Sequence, residues 1–271
     1  DGRDDSDQAQ CDGLRAETGK KSLPLKKITQ TDAIFDEIHK VNKEADTDET
    51  MLRISLDAKA PLKLGLFSRG GLNRVVVKAL DHDFHGKTPK VTPFGIYLPE
   101  HEELYLYFST SKVTSDFIVD CLSDFWSCVR ERFPEVTTLV INQDNGPENH
   151  SRRTQFMNRI VNFVDHFGLA VKLAYYPPYH SKYNPIERVW GFLEQHWNGS
   201  LLDSVGTILS FASSFSFKDI EPVVKLVSTI YETGVKLSQK EMRLLEKRFQ
   251  RLAGLEKWFV LINPLPDTNS V

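Results

Sequence analysis

The chain has 271 residues, of which 40% are hydrophobic and 11% aromatic, so it can bury a sizeable core and is not wholly disordered. Charged residues make up 26% and the formal net charge is −3, which excludes a uniformly basic nucleic-acid coat. No apolar run approaches the ~20 residues of a membrane span, no signal peptide opens the chain and the three cysteines lack Cys-x-x-Cys spacing, so we expect a cytoplasmic protein with no membrane segment.

The charge is unevenly distributed. Residues 1–50 hold 13 of the 37 acidic and 8 of the 34 basic residues, which leaves 24 acidic and 26 basic residues for the remainder. Residues 151–200 and 236–257 carry six and seven Lys or Arg residues respectively, each against three acidic ones. Such stretches predict either a phosphate-binding face or ordinary solvated helix faces.

The N-terminal 50 residues are interpreted as an acidic linker or the remnant of an N-terminal region. Residues 1–30 are polar and aperiodic. A short amphipathic helix is predicted over Thr31–Glu44, with Thr31 as the N-cap and Ile34, Ile38 and Val41 on one face. The chain begins at Asp1 rather than Met, which suggests a fragment of something longer.

From Met51 the pattern is typical of strands. Leu52, Ile54 and Leu56 alternate with polar residues, and this signal continues over residues 63–67 before a turn at 68–71. Two further strands, Val75–Leu80 and Leu104–Phe108, are rich in β-branched and aromatic residues. Together these strands predict an antiparallel meander.

Helical periodicity then alternates with buried strands. Helices are predicted over 115–133, 154–167 and 185–197, strands over 137–141 and 171–175, and the rest to about Phe259 as mostly helical. Trp190, Leu193 and Trp197 are predicted to lie in the core. The order predicts an α/β fold, with one mixed five-stranded sheet, helices on both faces and additional C-terminal helices.

Three acidic residues stand out by their position. Asp57 ends the first strand, Asp144 follows the buried strand 137–141, and Glu187 lies in the first turn of the helix after the last strand. Three carboxylates that cluster need a cation to stay ionised, and oxygen ligands select Mg²⁺ or Mn²⁺. We therefore expect these residues to be catalytic and to bind two such ions, which would clamp an in-line phosphoryl displacement.

Each of these residues also has a purely structural interpretation. Asp57 fits a turn, and the Asp-Asn-Gly sequence at 144–146 fits a loop in any protein. Asn184 as N-cap, Pro185 at the first helical position and Glu187 at the third spell a capping box.

Several polar residues near these acids are candidates for contacting DNA. Arg188, Lys182, His180 and Asn145 form this set. Asn145 and Asn149 fit either ligand orientation or a turn, and Arg188 fits either a phosphate contact or a plain surface position. The tyrosines at 175, 176, 179 and 183 fit either base stacking or packing on the sheet. A second acidic and histidine-rich group (Asp81, His82, Asp83 and His85) fits a metal cluster or, more simply, a polar loop.

Six segments carry a resemblance to a known family. They read LRISLDAKAPLKLGLFSRGG (52–71), ALDHDF (79–84), PFGIY (93–97), TSDFIVD (114–120), INQDNGPENHSRRTQFM (141–157) and YYPPYHSKYNPIERVWGFLEQHW (175–197). From about residue 23 to 262 the chain resembles the ISAzo-type insertion-sequence transposases, bacterial relatives of the Tc/mariner-like DDE transposases. The resemblance implies a ribonuclease-H-like fold and carries the three catalytic acids onto Asp57, Asp144 and Glu187. It also implies an N-terminal helix-turn-helix region that reads terminal repeats, and no such pair of helices is predicted before Met51.

The resulting hypothesis is a DDE transposase catalytic domain that hydrolyses phosphodiesters with two metal ions and joins insertion-sequence ends to target DNA. It would act as a homodimer or higher oligomer on DNA, near the bacterial nucleoid, without a small-molecule cofactor. The alternatives are a ribonuclease-H-like nuclease that does not join DNA, and a domesticated or truncated remnant that only binds DNA or protein. The predicted divisions are a linker (1–50), a catalytic domain (51–262, with a helical extension at 201–262) and a tail (263–271).

Overall fold

The computed structural model describes residues 27–67 and 88–266. The helices are α1 (Thr31–Thr47), α2 (Ser115–Val129), α3 (Thr154–Phe167), α4 (Pro185–Trp197), α5 (Val205–Ser213) and α6 (Gln239–Leu245). The strands are β1 (Met51–Ala58), β2 (Leu62–Lys63), β3 (Lys90–Leu98), β4 (Glu103–Ser109), β5 (Thr138–Gln143), β6 (Ala170–Tyr175), β7 (Val223–Val227), β8 (Phe249–Arg251) and β9 (Phe259–Ile262).

The strands form one mixed sheet with β1 at its centre. The order is β7-β4-β3-β1-β5-β6-β9-β8, and β2 pairs with β3 beside this path. The meander β1, β3 and β4 is antiparallel, whereas β5 and β6 run parallel to β1 after helical crossovers. The predicted α/β class with a mixed sheet is confirmed, but the predicted number of five strands was wrong, because the described residues alone contribute nine.

The middle strand of the meander differs from the prediction. The strand between β1 and β4 is β3, which the sequence pattern did not reveal because Pro93 and Gly95 interrupt it. The predicted strand Val75–Leu80, like the turn at 68–71, lies outside the described residues.

The C-terminal segment also differs. Residues 201–262 were predicted to be mostly helical, but besides α5 and α6 they contain β7, β8 and β9, which extend both edges of the sheet. Strands of three to five residues are too short for periodicity to separate them from helix. The division of the chain at residues 50 and 262 stays a prediction.

Helices cover both faces of the sheet. On one face, Arg53 binds Asp46 of α1, and Ser55 binds the residue before α4. On the other face, Phe94 packs against Phe117 of α2, and α2 packs on α3. In the described part of the chain, no helix is both long and apolar enough to cross a membrane.

The core includes the helical residues that periodicity predicted. Ile34, Ile38 and Val41 of α1 are buried against the sheet. In α4, Trp190, Leu193 and Trp197 are buried, as predicted, in a second apolar cluster with α5. α1 begins at Thr31, so the N-cap is Gln30 rather than the predicted Thr31, whose hydroxyl instead accepts a hydrogen bond from the Ile28 N–H.

Candidate active site

Asp57 and Asp144 meet at the carboxyl ends of two neighbouring parallel strands. In the β1–β5 ladder Ser55 lies opposite Asn142, and the same register continued by two residues sets Asp57 opposite Asp144. Side chains alternate along a strand, so Asp57 lies on the face where Ser55 meets α4. Asp144, one residue past the end of β5, is close enough to act electrostatically on Asp57. Two carboxylates that are 87 positions apart in the chain thus share one edge of the sheet.

Glu187 reaches this edge because the start of α4 is bonded directly to β1. The Ser55 hydroxyl donates to Asn184 Oδ1 at 2.6 Å and accepts from the Ile186 N–H at 3.0 Å. Asn184 Nδ2 donates to the Leu56 carbonyl oxygen at 3.0 Å. Ser55 and Asn184 are almost completely buried. These contacts hold the first turn of α4 against β1 at Ser55, which precedes Asp57 by two positions.

The capping-box interpretation of Glu187 was wrong. Asn184 is the N-cap residue and Pro185 is at the start of α4, as predicted, but the Asn184 side chain forms no capping hydrogen bond. Its amide is engaged by Ser55 and Leu56 of β1 instead. The Glu187 carboxylate is therefore not used to close the helix terminus.

The three carboxylates influence one another electrostatically. Burial, followed by the negative charges of Asp144 and Glu187, raises the pKa of Asp57 from 3.8 to about 7. Hydrogen bonds from the Trp190 indole and from the Ala58 backbone act in the opposite direction and lower this pKa. Asp57 is thus partly protonated at neutral pH when no cation compensates its neighbours.

The donor set suits a hard divalent cation. Three carboxylates supply only oxygen ligands, the kind that Mg²⁺ and Mn²⁺ prefer, and a cation would relieve the repulsion that raises the Asp57 pKa. As the side chains stand, no group of three His, Cys, Asp or Glu residues within the described ranges is close enough to hold one ion. The residues fit the metal by charge and donor type.

The loop after β5 holds Asp144 by short-range contacts. Asn149 Nδ2 lies 3.2 Å from Asp144 Oδ1, 3.1 Å from the Asp144 carbonyl oxygen and 3.1 Å from Gln143 Oε1. The Tyr175 hydroxyl donates to the Asn149 carbonyl oxygen at 2.8 Å. A Cβ on Gly146 would lie 2.7 Å from Asn149 Oδ1, so the tight turn requires glycine. Asn149 thus forms the turn and orients the acid at once.

An open groove of about 900 Å³ adjoins the two aspartates. Among the described residues that line it are Asp57 and Asp144, together with Lys59, Lys90 and Lys112. Its floor includes Phe94 and Ile118 of the buried core. The groove therefore combines acidic residues with lysines, as a polyanion that requires a cation would need.

The predicted DNA-contacting residues differ in their accessibility. Arg188 and Lys182 are exposed, and the Lys182 Nζ lies 5.2 Å from the centre of the Tyr183 ring. His180 is buried, its Nδ1 lies 2.8 Å from the Pro178 carbonyl oxygen and its ring packs on Phe35, so it supports the loop from inside. Asn145 is half-buried, and its Oδ1 has no hydrogen-bond partner among the described residues.

The tyrosines predicted around Glu187 divide into two groups. Tyr175 and Tyr176 are buried, which agrees with packing on the sheet, whereas Tyr179 and Tyr183 are exposed. The second candidate metal cluster, with Asp81, His82, Asp83 and His85, lies outside the described residues.

Sequence reasoning missed the contribution of Ser55, Gly95 and Trp190 to the site. Ser55 is a polar residue two positions before Asp57 on the same face of a buried strand, and that spacing is a signal that could have marked it. Trp190 was predicted only as core, although a buried indole N–H requires an acceptor. The acceptor, on a strand 133 positions away, is visible only in the fold.

Comparisons with known proteins add independent findings. The family model described as the Rhodopirellula transposase DDE domain (ISAZ013 type) matches residues 10–264. No curated protein matches the chain significantly.

Among solved structures, the chain is similar in fold to Mos1 transposase. The Mos1 paired-end complex with the left transposon end is 8% identical, with a TM-score of 0.47, and the alignment covers 73% of this chain and 58% of that one. The Mos1 mariner paired-end complex with Mn is 9% identical, with a TM-score of 0.46 and the same two coverages. The chain thus spans less than two thirds of the length of these solved structures.

Proposed function

The chain belongs to the family of Rhodopirellula transposase DDE domains, and we propose that it cuts DNA at insertion-sequence ends and joins the freed ends to target DNA. The observation that carries the proposal is the meeting of Asp57 and Asp144 at one sheet edge, near enough to Glu187 for both neighbours to raise the Asp57 pKa. Perturbed carboxylates in a groove are typical of catalytic sites.

We assign roles to the residues as follows. Asp57 and Asp144 would hold two Mg²⁺ or Mn²⁺ ions, with Glu187 as a further carboxylate ligand. Ions bound there would lower the pKa of a water molecule and stabilise negative charge at the phosphate. Ser55 and Asn184 keep Glu187 at the site by tying α4 to β1, and Asn149 orients Asp144.

The proposed reaction has two displacements at phosphorus. In the first, a water oxygen loses a proton and bonds to the phosphorus at the element end, the bond to the 3′ oxygen breaks, and that oxygen takes up a proton as the released 3′-hydroxyl. In the second, that hydroxyl oxygen bonds to a phosphorus of target DNA, loses its proton and displaces a target 3′ oxygen. Arg188 and Lys182, both exposed, would contact the phosphates, with Asn145 beside them.

The partners proposed with this activity are the element ends and target DNA, bound by a homodimer or a higher oligomer. The proposed location is the bacterial cytoplasm, in association with the nucleoid. Both follow from the DNA substrate and from the family rather than from any contact within the chain.

The test uses the purified chain and a plasmid that carries the element with its flanking DNA. We expect Mn²⁺- or Mg²⁺-dependent nicking and end joining, and a loss of about 10³-fold in Asp57→Asn, Asp144→Asn and Glu187→Gln, since each removes about 4 kcal/mol of metal-dependent stabilisation. Glu194→Gln is the matched control, because Glu194 lies on the same helix two turns later and pairs with Lys59.

Each of the other outcomes would indicate a different function for this chain. Cutting without joining would indicate a nuclease. DNA binding without metal-dependent cutting would indicate a non-catalytic remnant. Strand transfer retained by an Asp57 or Asp144 variant would overturn the assignment of the acids.

A further inference from the structure

A tryptophan of α4 is bonded to the carboxylate of Asp57. The Trp190 Nε1–H donates to Asp57 Oδ2 at 3.1 Å. Trp190 is only 4% exposed, and a buried indole N–H needs a protein acceptor. Trp190 follows Glu187 by three positions, so both residues lie on the same side of α4. One helix face therefore carries an acid of the site and a donor to another acid.

The position of the indole depends on a glycine in the neighbouring strand. Gly95 of β3 lies opposite Asp57 in the β1–β3 ladder. A Cβ at Gly95 would come 2.8 Å from Trp190 Cη2 and 2.7 Å from Ile186 Cδ1. Real Cβ atoms essentially never approach this closely, so only glycine lets α4 lie flat enough on β3 for the indole to reach Asp57.

The hydrogen bond fixes one part of the carboxylate and leaves the rest for a ligand. An ionised carboxylate has roughly four acceptor sites. Asp57 uses acceptor capacity for the indole and for the Ala58 backbone N–H. The remaining capacity is oriented by these two donors, which is how outer groups orient metal-binding carboxylates in proteins generally.

We propose that Trp190 is a positioning residue that orients the Asp57 carboxylate for divalent-cation binding, and is not merely a core residue. The inference rests on the proposed function, since it takes Asp57 as a metal ligand. It adds a residue that never touches the ion and acts through Asp57.

The first experiment measures Mn²⁺ affinity by the paramagnetic resonance of free Mn²⁺, with no DNA present. Trp190→Phe keeps most of the ring volume but removes the N–H, and we expect it to weaken Mn²⁺ binding about 10- to 100-fold. Trp197→Phe is the matched control, because Trp197 is a buried indole of the same helix, one of the largest fully buried side chains. It should lose stability yet bind Mn²⁺ as the unmodified chain does.

A second measurement tests Trp190 without substituting it, so it does not depend on whether Trp190→Phe folds. The chain has four tryptophans, and their indole N–H resonances can be assigned by ¹⁵N labelling and single Phe substitutions at Trp126, Trp197 and Trp258. Addition of Mg²⁺ should shift the Trp190 indole resonance most, because its acceptor becomes a metal ligand, and Asp57→Asn should abolish that shift.

The outcomes separate this inference from the proposed function. If the unmodified chain binds Mn²⁺ but Trp190→Phe binds it equally well, or if Mg²⁺ binds without moving the Trp190 resonance, the positioning role is overturned while the metal site stands. If the unmodified chain binds neither ion, the metal site itself fails and the inference falls with it.

Discussion

Asp144 and Glu187 arrive at the same sheet edge by opposite means. Asp144 is held within its own loop, where Asn149, five residues later, bonds both its carboxylate and its carbonyl oxygen. Glu187 is held by β1, since Ser55 and Leu56 bond the Asn184 side chain from 129 and 128 positions away in the chain, respectively.

The difference shows which contacts stabilise each half of the site. The Asp144 carboxylate depends on Asn149 of its own loop, which the Tyr175 hydroxyl of β6 bonds in turn, whereas the Glu187 helix depends on the packed interior between two elements. Buried polar partners are costly to remove, so we expect the helix side to be the more sensitive of the two.

Asp57 is influenced by both Asp144 and Glu187, and the titration of its carboxyl group gives the largest predicted effect on stability. Its pKa in the folded, metal-free chain is about 7, against an ordinary value of 3.8. The folded state therefore holds a proton that the unfolded state has lost, and stability falls as the pH rises from about 4 to about 7. At about 1.4 kcal/mol per pKa unit, the fall is about 2 to 4 kcal/mol. Urea unfolding at several pH values should show this slope in the unmodified chain and lose it in Asp57→Asn.

The same titration ranks the two neighbours of Asp57. Asp144 raises the Asp57 pKa more than Glu187 does, so Asp144→Asn should flatten the pH slope more than Glu187→Gln. The reverse order would mean that the helix, and not the loop, delivers the closer charge.

Ser55→Ala tests the long-range half of the comparison. The substitution removes the donor to Asn184 and the acceptor of the Ile186 N–H, both within the interior, so we expect the free energy of unfolding to fall by about 2 to 3 kcal/mol. Cleavage per folded molecule should fall as well, because Glu187 loses its anchor.

The matched control for this variant is Ser109→Ala. Ser109 is an equally buried strand serine, but among the described residues its hydroxyl bonds only Ser111, two residues away. It should cost stability without a loss of cleavage per folded molecule. Equal cleavage in the two variants would contradict the anchoring role of Ser55.

Asn149→Ala tests the local half and has the smallest expected effect. Asn149 is buried, and its amide donates to Gln143 and to Asp144, which is only half-buried, so we expect a loss of about 1 kcal/mol in the free energy of unfolding. Differential scanning calorimetry of both variants would compare the two halves directly. A loss as large as that of Ser55→Ala would show that the loop is not self-contained.

Sequence reasoning succeeded where periodicity is strong. The helices α3 and α4 begin and end where the apolar spacing, Pro185 and Gly168 predict, and β1 is visible from the alternation of Leu52, Ile54 and Leu56. The α/β class followed from this order of elements, whereas the ribonuclease-H-like assignment was implied by the family resemblance. The roles of Asp57, Asp144 and Glu187 remain a proposal, supported by their placement.

Sequence reasoning failed where tertiary contacts decide. β3 was missed because the close approach of α4 demands Gly95 in mid-strand, which local propensity counts against a strand. The capping box at Asn184 was plausible locally, but bonds to β1 won over the helix terminus. The short strand β9 is defined by pairing with the distant strand β6, and β8 by pairing with β9, and not by their own patterns.

The alternation of β1 has a consequence for how the chain avoids misassembly. Its leucines face α2, whereas Arg53, Ser55 and Asp57 face α1 and α4. A slip of β1 by a single residue would turn every side chain to the opposite face, driving an aspartate into the apolar layer and leaving the Asn184 amide without its serine. The hydrogen bonds that place the acids therefore also favour the correct register of β1. A chain with β1 in the wrong register would lose both stability and activity.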